Sequence, residues 1–551
     1  MARAFKTTLC LLLVVILMVG CNNPTIVPTE PTEPGLAERL EKYAELGTGT
    51  DDNYRTWYEI FVYSFCDTNG DGIGDLQGVI SKLDYLKELG INGIWLMPIH
   101  PSTSYHKYNV DDYYAIDPSY GTMGDFEQLI AECDKRDIKV ILDLVVNHSG
   151  DKNEWFTTAC DYLRNLQLGE FANEEDCPYF GYYNFTMESG LKGFGKVAGS
   201  DYYYECQFSG DMPDLKLENE NLRKDIKDIM QFWMDKGVAG FRLDAAKEYY
   251  TGNITKNVEV LKWLQETAVS IDPDAYMVAE VWDSFSAVTR YYESGLTSIF
   301  NYPFGNSSGK LITVVNNRGN EKMVNTWATA LQTAHEAYSG NHPGYIDAPF
   351  LSNHDVGRIY DFVKGDELRV KMAGALNIFM SGSTFIYYGE EIGMAGTIME
   401  GNDNDPSKRA PMYWNAERDD GTTGLCPGCS LPSAGYPLGS VEEQREDETS
   451  VYNYYREAIA IRNAFPVISH GAVTAETALN VGCVSAQRKT WEDKECIIIQ
   501  NINDEAGTAD LSAYTDWELV ATLSADGNPI EMDGTTLNLA AYGIAVLVPV
   551  N

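Results

Sequence analysis

Eight short apolar runs, most of them separated by segments of helical periodicity, constrain this chain more than any other feature. They are Trp57–Tyr63, Gly93–Pro98, Val140–Val146, Gly240–Leu243, Tyr276–Glu280, Ser298–Tyr302, Ala348–Ser352 and Thr384–Tyr388. Continuous apolar runs read as parallel strands buried on both faces. Between them Leu76–Leu89, Phe126–Arg136, Asn221–Lys236 and Asn257–Ser270 carry apolar residues at helical spacing. Eight strands alternating with helices predict an α/β protein built on a (β/α)8 TIM barrel.

Four segments stop abruptly in acids, amides, histidine or arginine: Asp143-Leu-Val-Val-Asn-His148, Gly240-Phe-Arg-Leu-Asp-Ala-Ala-Lys-Glu248, Val278-Ala-Glu-Val-Trp282 and Phe350-Leu-Ser-Asn-His-Asp355. The C-terminal ends of barrel strands are where such folds keep their chemistry. One polar strand end means little, because every strand must end in a loop. Four in order, carrying Asp244, Glu280 and Asp355, make carboxylate chemistry the leading expectation.

These four segments resemble the ordered signature regions of glycoside hydrolase family 13, the α-amylase family, and the similarity runs from about Tyr54 to about Val467. The resemblance implies a nucleophile at Asp244, an acid/base at Glu280 and a third, sugar-binding carboxylate at Asp355, the set that retaining glycosidic cleavage needs. It implies substrate contacts from His148, Arg242 and His354. Arg242 lies two residues before Asp244, on the same face of the strand, where it can hold Asp244 ionised. Tyr105-His-Lys-Tyr-Asn-Val-Asp-Asp-Tyr113 resembles the segment whose tyrosine stacks on the sugar, which places Tyr108 there with His106 beside it. Lys247 matches a contact on the leaving side of the glucan. Glu248 departs from the histidine that many α-amylases carry.

Asp67-Thr-Asn-Gly-Asp-Gly-Ile-Gly-Asp75 follows the first strand. Oxygen donors at alternate positions around a glycine turn suit a hard cation such as Ca²⁺. The twelfth position of an EF-hand would be Gly78, and a strand precedes where an EF-hand needs a helix. The segment instead resembles the calcium loop of the oligo-1,6-glucosidase-like and neopullulanase-like branches, with Asp67, Asn69, Asp71, the Ile73 carbonyl and Asp75 as ligands. Asn147 and Asp214 are a candidate second pair. Met212-Pro-Asp-Leu215 is intermediate between branch signatures, so the preferred linkage stays open.

The rest of the chain divides around this barrel. Residues 1–20 read as a lipoprotein signal peptide, with Arg3 and Lys6 before the apolar Leu9–Val19 and Met18-Val-Gly-Cys21 as the cleavage box. Cys21 is the expected lipidation site, and residues 21–36 are a proline-rich tether. The barrel is expected over 37–148 and 213–466, an inserted domain B over 149–212 and a C-terminal antiparallel β-sandwich over 467–551. The excursion Ala395–Asp447 is expected on the catalytic face. Removing residues 1–20 leaves 39 basic against 81 acidic side chains, a charge of −42, which repels nucleic-acid backbones. With Cys10 removed and Cys21 lipidated, nine of the 11 cysteines remain; Cys160 and Cys177 are one possible disulfide, and Cys426-Pro-Gly-Cys429 is either a local disulfide or two free thiols.

The expectation is therefore a bacterial cell-surface lipoprotein, touching the membrane only through its anchor. It would be an endo-acting α-1,4-glucan hydrolase acting on starch or maltodextrin, and a monomer because little chain precedes the barrel. Rival enzyme readings are a neopullulanase or cyclomaltodextrinase, an α-glucosidase and a transglycosylase. A non-catalytic glycan-binding relative is the rival of another class, and it conflicts with the presence of all three carboxylates.

Overall fold

The computed structural model describes residues 35–47, 49, 52–167, 169–396, 405–431 and 436–550. The expected signal peptide, Cys21 and nearly all of the expected tether lie outside them. Among the described residues no helix is long and apolar enough to cross a membrane.

Seven parallel strands form one curled sheet. Their spatial order is Thr384–Tyr387, Thr56–Ile60, Gly93–Leu96, Lys139–Leu144, Gly240–Leu243, Tyr276–Ala279 and Ser298–Ile299. The predicted strand Ala348–Ser352 is not a regular strand. It makes two parallel bridges, Phe300 with Ala348 and Phe350 with Phe385, and so joins the two edges of the sheet into a barrel. The interior is aromatic: Trp57 stacks on Tyr276 and Phe385, and Trp95 packs on Phe300. Trp57 claims the space beside Gly93, where a Cβ would lie 2.4 Å from its ring.

The helices follow the predicted periodicity, at Met123–Asp134, Glu220–Asp235 and Ile254–Ile271. The expected helix Leu76–Leu89 is two helices, Leu76–Ser81 and Leu83–Leu89, separated at Lys82. Asp75 caps the first by accepting from the Gly78 amide, the type of bond that satisfies a free helix N-terminus. An N-terminal helix, Leu36–Leu46, lies on helix Val451–Ala464, with Arg39 on Glu457 at 2.6 Å.

Between the third and fourth strands the chain leaves the barrel and builds helix Glu154–Asn165 and three short strands, Phe185–Thr186, Phe194–Lys196 and Tyr203–Glu205. An antiparallel bridge between His148 and Asp214 ties exit to return. Cys160 and Cys177 form no disulfide; every described cysteine is a free thiol.

The C-terminal region packs a five-stranded antiparallel sheet against a three-stranded one. Its strand Lys494–Asn501 serves two cores by the two-residue period of a strand. Cys496 and Ile498 face the main core, whereas Ile497 and Ile499 enter the sandwich core with Val484, Leu537 and Leu547. The expected run Leu537–Val550 is two strands, Thr536–Leu539 and Gly543–Pro549, because the chain turns through Tyr542 at positive φ.

Candidate active site

Arg242 organises the mouth of the barrel. It is fully buried, and its guanidinium lies 5.1 Å from the Trp95 ring centre. Parallel register sets Arg242 beside Asp143 on one side and Val278 on the other. Strand alternation puts Asp244 and Glu280 on the same inward side. Three carboxylates therefore converge on one cation: Arg242 Nη1 meets Asp143 Oδ1 at 2.7 Å and Asp244 Oδ1 at 2.6 Å, while Nη2 meets Glu280 Oε2 at 2.7 Å.

Backbone strain completes this grip. Ala245 has φ of 45°, a conformation that non-glycine residues rarely adopt. The turn aims its amide at Glu280 Oε2, 3.0 Å away. Burial raises the Glu280 carboxyl to about 7; Arg242 opposes the shift, while Asp244 and Asp355 add to it. A carboxyl tuned there is half-protonated near neutrality, which suits a general acid.

Asp355 is held differently. His354 Nε2 lies 3.1 Å from Asp355 Oδ2, and Arg409 Nη2 lies 3.1 Å from Oδ1. Burial alone would raise this carboxyl; His354, Arg409 and Arg242 together hold it far below the usual carboxylate range. The other ring nitrogen, His354 Nδ1, lies 2.5 Å from Glu59 Oε1. Burial would lower His354, but Asp355 and Glu59 raise it to about 10, so it is a cation at neutral pH.

Tyr108 joins the two groups. Its hydroxyl is 2.7 Å from His354 Nε2 and donates to Asp143 Oδ2 at 3.1 Å, and its ring stacks on His354. His106 accepts the Tyr108 amide at Nδ1. His148 is buried, its Nδ1 beside Asn147, and its Nε2 has no hydrogen-bond partner among the described residues. Such an orphaned buried nitrogen asks for a ligand. Lys247 stands at the rim, donating to the Trp282 carbonyl at 3.0 Å. Trp282 stacks on Tyr302 and leaves 48% of its surface exposed.

The structure thus gathers Asp244, Glu280, Asp355, Arg242, His354, Tyr108, His106 and His148 around one barrel mouth and sets Lys247 at its rim. The expected calcium ligands Asp67, Asn69, Asp71, Ile73 and Asp75 lie apart from this group, in the loop after the first strand. Three further residues belong to the site. Glu59 interrupts the otherwise apolar run Thr56–Ile60, whose five positions are all buried, and a buried mid-strand acid is a legible signal. Asp143 opens the first polar-ended segment. Arg409 ends the short 3-10 turn Asp405–Arg409, inside the excursion expected on the catalytic face.

In the loop Asp67–Asp75 each acid turns onto the loop itself. Asp67 accepts the amides of Asn69, Gly70 and Gly72; Asn69 accepts Asp71; Asp71 accepts Ile73. Asp75 takes Thr68 and Gly78. Among the described residues no three His, Cys, Asp or Glu side chains converge as a metal cluster. Asp214 Oδ1 is buried without a partner, and burial raises that carboxyl to about 7.

Known sequences and structures resemble this chain over most of its length. The sequence model of the α-amylase catalytic domain matches residues 59–471. "Alpha-amylase 3" of Dictyoglomus thermophilum is 38% identical over 453 residues, covering 81% of this chain and 84% of that protein. "Glucan 1,6-alpha-glucosidase" of Streptococcus pneumoniae is 31% identical, over 74% of this chain and 83% of that one. The solved structure of Amy13B from Eubacterium rectale superposes with a TM-score of 0.87 at 39% identity, covering 92% of this chain and 98% of that one.

Proposed function

This chain belongs to the α-amylase family of glycoside hydrolases, and from that premise we propose that it is a retaining, endo-acting hydrolase of α-1,4-glucans. The observation that carries the proposal is the sharing of Arg242 by Asp244 and Glu280, with Asp355 kept ionised separately by His354 and Arg409. In this reading Asp244 attacks the anomeric carbon while Glu280 gives its proton to the departing glycosidic oxygen. The sugar is then an ester of Asp244. Glu280, now a carboxylate, takes a proton from water, which displaces Asp244 and restores the configuration. Asp355, His148 and His354 engage ring hydroxyls, Tyr108 stacks on the sugar with His106 beside it, and Lys247 meets the leaving side.

The α-1,4 preference is supported by Ala245-Ala246 after the nucleophile and Val281 after the acid, which resemble the α-1,4-acting members of the family more than the 1,6-specific ones. Product analysis on soluble starch, pullulan and cyclodextrins tests it, with Asp244→Asn as control. Internal cleavage of starch to mixed maltooligosaccharides is expected. Exclusive release of glucose, or cleavage of α-1,6 linkages alone, would instead identify an α-glucosidase or oligo-1,6-glucosidase.

Calcium at Asp67, Asn69, Asp71, the Ile73 carbonyl and Asp75 is part of the proposal. The donors are all oxygen and lie on a turn already ordered by its own amides, which fits a hard cation. The ion would brace the loop and take no part in bond cleavage. A lipid on Cys21, which would hold the enzyme at the cell surface, is proposed from the cleavage box alone. Labelling with a radioactive fatty acid tests it, and equal incorporation by Cys21→Ser would refute it. A monomer is proposed too; elution of the purified enzyme as a dimer would overturn that.

A further inference from the structure

The thiols of Cys426 and Cys429 are used by nothing in the proposed mechanism, yet they sit directly behind it. Cys426-Pro-Gly-Cys429 is a tight turn: the Cys429 amide donates to the Cys426 carbonyl at 2.9 Å, and Gly428 has φ of 81°. Pro and Gly at the two central positions suit such a turn, which keeps the end Cα atoms within about 7 Å, the reach of a disulfide. The two thiols influence each other, Cys429 raising Cys426 and Cys426 lowering Cys429. Cys426 is buried and Cys429 is partly open.

The turn is fastened to the segment that holds Asp355. Cys426 Sγ donates to the Pro406 carbonyl at 3.5 Å and lies 3.9 Å from the Arg409 carbonyl. Ser407 Oγ donates to the Ser430 carbonyl at 3.0 Å and accepts the Ser430 amide at 3.2 Å. From the same segment Arg409 reaches Asp355, Tyr105 and the His354 carbonyl, and Lys408 holds the Asp355 carbonyl at 2.6 Å. We propose that Cys426 and Cys429 are a thiol–disulfide switch that sets how firmly Arg409 holds Asp355.

The oxidant is a disulfide, small or protein-borne. The open Cys429 sulfur, as thiolate, attacks one sulfur of the oxidant and expels the other as a thiolate. Cys426 then attacks the Cys429 sulfur of the mixed disulfide, its proton passing to the second departing thiolate. One disulfide is reduced to two thiols, and one S–S bond forms in the turn. Closure removes the Cys426 donor from the Pro406 carbonyl and draws its sulfur away from the Arg409 turn. The functional part of the proposal rests on the role given to Asp355; the sulfur chemistry does not.

Oxidised glutathione tests both parts on the full-length chain. Peptide mapping of the treated wild type should find Cys426 and Cys429 joined. Cys426→Ser should stop at a stable glutathione adduct on Cys429, and Cys429→Ser should leave Cys426 unmodified. The oxidised enzyme should show a KM on maltooligosaccharides raised about threefold and restored by dithiothreitol. The Cys426→Ser/Cys429→Ser double variant should keep one KM in both conditions. A wild type that keeps both thiols, or a stable adduct without ring closure, overturns the switch. A disulfide that forms with KM unchanged overturns its link to Arg409. If the reduced enzyme hydrolyses no α-glucan, the substrate reading fails while the mapping still judges the sulfur chemistry.

Discussion

Two acidic clusters of similar composition behave in opposite ways in this molecule. At the barrel mouth Asp143, Asp244, Glu280 and Asp355 are gathered around Arg242, His354 and Arg409. In the loop after the first strand Asp67, Asp71 and Asp75 are gathered around backbone amides and Thr68. The first cluster is desolvated, so its charges tune one another: Glu280 is pushed up while Asp355 is held down. In the second Asp71 is exposed, Asp67 is half-buried, and the buried Asp75 caps a helix. Burial with a counter-cation makes reactive carboxylates; backbone amides make a turn or an ion cradle.

The largest effect that would break this contrast is at Asp244. Asp244→Asn keeps shape but removes the attacking charge, and steady-state kinetics on maltooligosaccharides should show kcat lowered about 10⁴-fold or more. The double variant Asp67→Asn/Asp71→Asn should leave kcat within about twofold, because those acids touch no reacting atom. Comparable losses in both would erase the distinction. Arg242→Ala tests the same idea through folding. Stripping a buried cation from three carboxylates should destabilise the protein by about 3–5 kcal/mol, read by denaturant unfolding.

The pH profile sharpens the comparison. Glu280 must be protonated to donate, and its carboxyl is raised to about 7. The protonated fraction is full below that value, so kcat/KM should fall as pH rises through about 7. Glu59→Gln removes a charge that keeps His354 cationic. His354 then loses its proton at lower pH and Asp355 loses a cationic partner sooner, so a second loss of activity, above the Glu280 limb, should move to lower pH. A profile identical to wild type would mean that Glu59 only fills space. The smallest effect is at the loop: EDTA should lower the melting temperature by a few degrees without shifting the fall of kcat/KM near pH 7. An unchanged melting temperature would remove calcium from the account.

Much of the barrel was legible because parallel strands buried on both faces leave apolar runs even when short; Gly240–Leu243 has the expected boundaries. Ala348–Ser352 has the same composition yet only bridges its neighbours, because pairing depends on partners that its own sequence does not describe. Lys82 separates two helices inside one amphipathic pattern for a similar reason. Asp244, Glu280 and Asp355 were readable from strand ends. Arg409 was not, since its approach to Asp355 is made by a loop across 54 residues of sequence. Glu59 could have been read, as an acid inside a wholly buried strand. Cys160 and Cys177 show the converse: sharing an excursion brings two thiols no closer to bonding.

The central claim is that Asp244 forms and then releases a bond to the sugar, with Glu280 serving twice. Proton NMR of the anomeric signal in the first minutes of maltooligosaccharide hydrolysis addresses it directly. Retention through Asp244 predicts that the new reducing end appears as the α-anomer and only later relaxes toward the α/β equilibrium. Initial release of the β-anomer would mean direct attack by water, and would contradict the roles given to both carboxylates.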